Sequence, residues 1–332
     1  MQRNPHITFF LTILLAGLLI SGPNALGQEP LFKLLSPEES GIAFNNKIED
    51  VPTHNILIYS NFYGGAGVGI GDFNQDGLPD VVFAGNQVAD KIYLNQGDLT
   101  FKDISGECGF SDNGGWSTGV IIADVNLDGR EDIYLTRELF DDKSALRANL
   151  LYLNQGVDEN GIPQFVESAE QFGIADQGRT RHASFLDYDK DGDLDLFLLN
   201  QPPNPGNYSD MYEEDLKKVI YRPKLFRQED GHFSDVSSAS GIQEPGFGNS
   251  LSVMDYNNDG WPDIFIANDY DEADKLYLNQ QDGTFSNVID ASMRHISFYS
   301  MGVDAADLDH NGWMDLMVLD MVAEDNYRLK AN

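Results

Sequence analysis

The stretch Asp72-Phe73-Asn74-Gln75-Asp76-Gly77-Leu78-Pro79-Asp80 decides the fold, because it returns four more times. Asp124 to Asp132 reads D-V-N-L-D-G-R-E-D, and Asp187 to Asp195 reads D-Y-D-K-D-G-D-L-D. Asp255 to Asp263 reads D-Y-N-N-D-G-W-P-D, and Asp307 to Asp315 reads D-L-D-H-N-G-W-M-D. Successive starts lie 52, 63, 68 and 52 residues apart. Periods of this size mark arrays of one supersecondary unit.

The loop has the chemistry of a hard-cation site. Calcium takes six to eight oxygens, and a tight loop can converge side chains from positions 1, 3 and 5. A glycine at position 6 permits the sharp turn, a backbone carbonyl at position 7 adds an oxygen, and a carboxylate at position 9 closes the shell. The expected ligands are Asp72, Asn74, Asp76, the Leu78 carbonyl and Asp80 in the first loop. The second offers Asp124, Asn126, Asp128, the Arg130 carbonyl and Asp132. The third offers Asp187, Asp189, Asp191, the Asp193 carbonyl and Asp195; Asp193 is the one position-7 residue whose side chain could also bind. The fourth offers Asp255, Asn257, Asp259, the Trp261 carbonyl and Asp263. The fifth offers Asp307, Asp309, Asn311, the Trp313 carbonyl and Asp315. A metal-free acidic turn explains one such stretch. Five, each crowding several carboxylates together, point to up to five Ca2+ ions, because unneutralised like charges that close are costly. The fifth loop departs mildly, with Asn311 in place of an acid. Magnesium, which demands octahedral order and keeps its waters, fits less well.

The flanks exclude helix–loop–helix calcium sites. Position 12 is Phe83, Leu135, Leu198, Ile266 or Val318, never the bidentate glutamate an EF-hand needs. Short apolar runs such as Ile264-Phe265-Ile266 follow each loop and read as strands buried on both faces. A second half recurs as Lys91-Ile92-Tyr93-Leu94-Asn95, Leu150 to Asn154, Lys275 to Asn279 and, more loosely, Lys224-Leu225-Phe226-Arg227. A turn and a last strand follow, as in Thr100-Phe101-Lys102-Asp103. One repeat is therefore strand, metal loop, strand, variable loop, strand, turn, strand: a four-stranded antiparallel propeller blade in an all-β chain.

The unit resembles the FG-GAP, or VCBS, repeat of integrin-type β-propellers, and within that group is most similar to exported bacterial relatives of cartilage acidic protein, many of which carry a C-terminal ASPIC/UnbV domain. The resemblance covers roughly residues 31–328 and implies that positions 1, 3, 5 and 9 of each loop bind calcium. It also implies a seven-bladed ring, of which about four and a half blades are present: 62–110, 115–175, 180–242, 247–293 and an incomplete 298–332, with the chain expected to be a fragment of a longer protein. A five-bladed ring is the alternative. Residues 31–61 form a lead-in, where Phe32-Lys33-Leu34 followed by Gly41-Ile42 mirrors Phe233-Ser234-Asp235 followed by Gly241-Ile242, the outer strand of a blade.

The chain has 332 residues, with 21 Lys+Arg against 54 Asp+Glu and a net charge of −33. Such a surface argues against nucleic-acid and anionic-membrane partners. Residues 1–27 read as a signal peptide: Arg3, an apolar run from Ile7 to Ile20, then Ala25-Leu26-Gly27 as the cleavage site. The mature chain is then exported, to the periplasm, cell surface or medium, with no stable membrane insertion. Cys108 is the only cysteine, so no internal disulfide forms, and it reads as a small buried residue.

The interval from position 9 to the aromatic of the third strand is 13, 20, 31 and 14 residues. Its longest case, Asn200 to Lys224, holds Tyr208, Tyr212 and Tyr221, either contact residues for a ligand or packing for the loop itself. A secreted binding or adhesion module, with an unknown protein or glycan at its rim loops, is the reading the residues favour. A structural subunit of a surface complex is a near variant. A lyase or hydrolase on extracellular polysaccharide is the alternative, but the five mature histidines are scattered, no catalytic constellation is found, and only Arg181 and His182 sit where they could line a channel.

Overall fold

A computed structural model describes residues 31–59, 61–111, 113–139, 143–203, 218–269, 272–297 and 299–321. The expected signal peptide, Tyr208, Tyr212 and the tail beyond Met321 lie outside them. The chain divides into two compact units, Met1–Glu39 and Ser40–Asn332. In the described part of the first, the Ser36 hydroxyl accepts the Glu39 N–H at 3.3 Å while a Glu39 carboxylate oxygen accepts the Ser36 N–H at 3.1 Å, a reciprocal cap.

The second unit holds every sheet. Strands β1 (Val68–Gly71), β2 (Asp80–Phe83), β3 (Lys91–Asn95) and β4 (Phe101–Asp103) form the first, an antiparallel meander in chain order. The second comprises β5 (Trp116–Ala123), β6 (Asp132–Glu138), β7 (Leu150–Val157) and β8 (Pro163–Glu167). The third comprises β9 (Thr180–Leu186), β10 (Asp195–Asn200), β11 (Lys224–Glu229) and β12 (His232–Asp235). The fourth comprises β13 (Gly248–Met254), β14 (Asp263–Asn268), β15 (Lys275–Asn279) and β16 (Phe285–Asn287). Only β17 (Ser300–Ala306) and β18 (Asp315–Asp320) form the fifth among the described residues. First strands neighbour one another, β1 beside β5, β5 beside β9, β9 beside β13 and β13 beside β17. Five consecutive meanders with adjacent first strands are the blades of a propeller.

In blades 2, 3 and 4 the second strand is the most buried. Every residue of β6, β10 and β14 is buried, as apolar runs with both faces covered require. Alternate residues of that strand face opposite neighbours. Val82 packs toward the second blade with Ile133 and Leu135, whereas Tyr134 packs toward the third with Leu196 and Leu198. Phe197 repeats the pattern toward Ile264 and Ile266, and Phe265 toward Leu316 and Val318. The cores are thus between blades, not within them. Cys108 lies in the first of these cores, where burial pushes its thiol up to about 11.

The lead-in differs from the sequence expectation in one respect. Phe32, Lys33 and Leu34 form no strand, and the two apolar side chains are 85% and 96% exposed. A strand needs a hydrogen-bonded neighbour, and no described strand pairs with them. Gly41, by contrast, takes the same place as its counterparts in complete blades. A Cβ on Gly41 would lie 2.2 Å from the Phe101 carbonyl oxygen, as one on Gly109 would lie 2.3 Å from that of Phe165. Gly173 and Gly241 meet Phe233 and Phe285 in the same way, at 2.8 and 3.0 Å. Each glycine, in the left-handed region, seats the chain leaving one blade against the outer strand of the next.

Candidate metal centres

All five acidic loops join the first strand of a blade to its second. Their backbone is wound by two left-handed residues. One is the expected glycine: Gly77, Gly129, Gly192, Gly260 and Gly312 have φ between 85° and 99°. The other is position 4, where Gln75, Leu127, Lys190, Asn258 and His310 have φ between 57° and 61°. A side chain in that region costs about 1–2 kcal/mol, so the winding is held by compensating bonds.

Those bonds are made by the acids. In loops 1, 2, 4 and 5 the position-1 aspartate accepts two backbone N–H groups, from positions 5 and 6; for Asp72 they are Asp76 at 3.0 Å and Gly77 at 2.9 Å. The position-5 side chain accepts the N–H of position 7 in all five. In loops 1, 2 and 4 the position-3 asparagine also donates its amide to the position-5 carboxylate, at 2.9–3.0 Å.

Position 9 does more than the sequence suggested. Asp80, Asp132, Asp195 and Asp263 are wholly buried. One oxygen of each accepts the N–H of position 2 of its own loop, and the other accepts the N–H of Asn95, Asn154, Gln228 or Asn279 on the third strand. The aspartate thereby bolts the loop to the sheet. Burial raises the carboxyls of Asp80 and Asp132 to about 6 and of Asp195 to about 7, against the bonds that oppose the shift.

Position 4 carries a second role with no sequence signal except, in retrospect, the left-handed tolerance of asparagine at Asn258. The Gln75 amide donates to the Gly129 carbonyl of the next loop at 2.6 Å, and Asn258 to that of Gly312 at 3.0 Å. Lys190 lies over the Trp261 ring, 4.8 Å from its centre. Loop 1 thus touches loop 2, loop 3 touches loop 4, and loop 4 touches loop 5.

The third loop stands apart. Buried oxygens of Asp187, Asp189 and Asp193 have no hydrogen-bond partner. Carboxylate oxygens of Asp187, Asp189 and Asp195 lie within 4.8 Å of one another, as do those of Asp307, Asp309 and Asp315 in the fifth. These two clusters can hold a metal ion. Orphaned, buried, converging carboxylate oxygens are the donor set a hard cation takes. Cations of the chain already sit nearby: Arg227 Nε lies 3.3 Å from Asp189, and Arg130 donates to Asp128 at 2.5 Å in loop 2.

Three expected functional residues are otherwise engaged. The His182 ring accepts the Leu251 N–H through Nδ1 at 3.3 Å, tying blade 3 to blade 4. Arg181 stands 3.8 Å from the buried carboxylate of Glu138. Tyr221 is buried under Lys218, whose ammonium lies 5.7 Å from its ring centre, so it packs the insert.

Comparison with known families now has a geometry to meet. The model of the FG-GAP-like repeat matches residues 72–135 and 255–318, each span running from one acidic loop through the next. The chain carries FG-GAP-like repeats. Loop 3 lies outside both matched FG-GAP spans. The chain is similar to cartilage acidic protein 1 of Xenopus tropicalis, 24% identical over 218 residues, which are 65% of this chain and 31% of that protein. The Homo sapiens protein of that name is 24% identical over 231 residues, 69% of this chain and 32% of that one. The chain thus spans about a third of the length of these relatives. Among solved structures, an Agrocybe aegerita lectin described as recognising non-reducing terminal N-acetylglucosamine is similar at TM-score 0.43 and 19% identity, over 75% of this chain and 59% of that one. The V. cholerae biofilm matrix protein Bap1 is similar at TM-score 0.38 and 15% identity, over 76% and 34%. Sheet order, not these likenesses, assigns the chain its propeller fold. No helix among the described residues is long and apolar enough to cross a membrane.

Proposed function

We propose that this FG-GAP chain is an exported calcium-binding propeller that serves as a binding or adhesion module, its ions structural and its rim loops presented to a protein or glycan. The observation that carries the calcium reading is the set of orphaned, buried carboxylate oxygens in loop 3. Residues 1, 3, 5 and 9 of each loop, with the position-7 carbonyl, would hold the ion. When bound, it would supply the charge that lets these carboxylates lie together, and would crosslink a chain that has one cysteine.

The binding role is supported by what the scaffold leaves free. Acidic loops and inter-blade cores fix the rigid part, and blade 3 has the longest interval between position 9 and the aromatic of the third strand, 31 residues, a length suited to a recognition loop. His182, the histidine best placed for chemistry, serves as a hydrogen-bond acceptor between blades.

Thermal unfolding with calcium and with chelator tests the metal. Each site whose Kd lies 100-fold below free calcium adds about 2.7 kcal/mol. A clear rise in Tm with calcium is expected, and equal melting temperatures would sink the reading. A glycan array run beside a reducing-end assay separates binder from lyase or hydrolase.

A further inference from the structure

Loop 3 differs from its four relatives in three ways. Its position 7 is Asp193, where the others have Leu78, Arg130, Trp261 and Trp313. Its position-1 aspartate, Asp187, keeps a buried oxygen with no partner, whereas Asp72 and Asp255 spend theirs on backbone N–H groups. Finally, Gln228 stands on β11 where β3, β7 and β15 carry Asn95, Asn154 and Asn279.

The asparagines have fixed employment. Asn154 donates to the Phe73 carbonyl of the preceding blade and Asn279 to that of Tyr188, both near 2.9 Å. Gln228 is one methylene longer and is placed differently. It is 3% exposed, its amide lies against the Asp193 carboxyl, and its Oε1 is buried without a partner. The Asp193 carboxyl in turn lies against that of Asp191, with one oxygen buried and unpartnered. Gln228 and Asp193 thus each keep one buried oxygen without a partner, as Asp187 and Asp189 of the same loop do. Leaving so many acceptors dry and unpaired is costly unless a cation takes them.

We propose that loop 3 is a cation site of its own kind, in which the Asp193 side chain joins the ligand shell and Gln228 holds it there, making this the tightest of the five sites. The inference rests on the calcium reading above and adds to it the residues that set affinity. More carboxylate charge in a rigid loop is the means by which calcium sites gain affinity. Arg227 Nε stands 3.3 Å from Asp189.

The test is a calcium titration of the chain by calorimetry, repeated with terbium luminescence. Wild type should show one class of site at least about tenfold tighter than the rest. Asp193→Leu, which installs the residue of loop 1, should weaken that class about tenfold and leave the others in place. Gln228→Asn should weaken it less. Circular dichroism and the elution volume of each variant establish that it folds; should Asp193→Leu fail to fold, Asp193→Asn, nearly isosteric, replaces it. A wild type with tight sites and an Asp193 variant that titrates identically would overturn this proposal alone. A wild type that binds no calcium would overturn the calcium reading with it.

Discussion

At the scale of single residues, the acids of the loops divide into two trades. Position 5, and position 1 in every loop but the third, hold the loop's own backbone, while position 9 fastens loops 1 to 4 to the sheet. Asp132 shows the second trade most plainly, accepting the Val125 N–H at 2.9 Å and the Asn154 N–H at 2.8 Å. Asp132→Asn would turn an amide donor toward one of those donors. It should cost about 2–3 kcal/mol in urea unfolding, and do so in chelator as well as in calcium. A loss seen only with calcium present would mean that Asp132 matters solely as a ligand. His182 offers a pH test. Burial, helped by Arg181, lowers its folded pKa below the usual 6.5, and its Nδ1 must be unprotonated to accept from Leu251. Its contribution is therefore complete above pH 6.5 and is lost as pH falls through the lowered value. Comparing the Tm of wild type with that of His182→Asn between pH 7.5 and 5.5 should show wild type losing more. Parallel curves would remove His182 from the pH response.

At the scale of elements, the glycine that ends each blade decides how blades meet. Gly109 sits at φ 84°, and a Cβ there would run into the Phe165 carbonyl oxygen. Gly97, at φ 85°, has open space around the same position. Gly97→Ala should therefore pay backbone strain alone, about 1–2 kcal/mol, while Gly109→Ala should pay that and the collision. Equal losses in the two unfolding midpoints would show that the outer-strand contact is slack. What the sequence discloses follows the same division. Ile133-Tyr134-Leu135 is legible as a doubly buried strand, because a contiguous apolar run has few other homes. The acidic loops are legible because oxygen-bearing side chains recur at fixed spacing. Phe32 to Leu34 misleads because its likeness to Phe233 to Asp235 concerns side chains, whereas a strand is made by its neighbour's backbone. Gln75 and Lys190 at position 4 escape notice because their service, a bond or a ring contact to the next loop, depends on how two blades lie together and leaves no periodic trace.

At the scale of the whole molecule, the charge of −33 has an address. Sixteen of the 54 acids stand at positions 1, 3, 5 and 9 of the loops, where hydrogen bonds already employ most of them. The rest meet a particular need at the fifth sheet. Among the described residues β18 pairs on one side only, and Met317 and Leu319, at the positions where Phe197 and Leu199 are sealed in blade 3, are 59% and 61% exposed. Apolar side chains exposed beside a strand are a surface on which another chain can dock. Long-range repulsion between like-charged copies opposes that encounter, and its reach shrinks from about 30 Å at 0.01 M salt to about 3 Å at 1 M. Light scattering should accordingly report growing particles as salt is raised, and Met317→Lys should suppress the growth; a salt-independent radius would refute it. The acid excess then works as colloidal protection, keeping the apolar side chains that β18 exposes away from other copies of the chain.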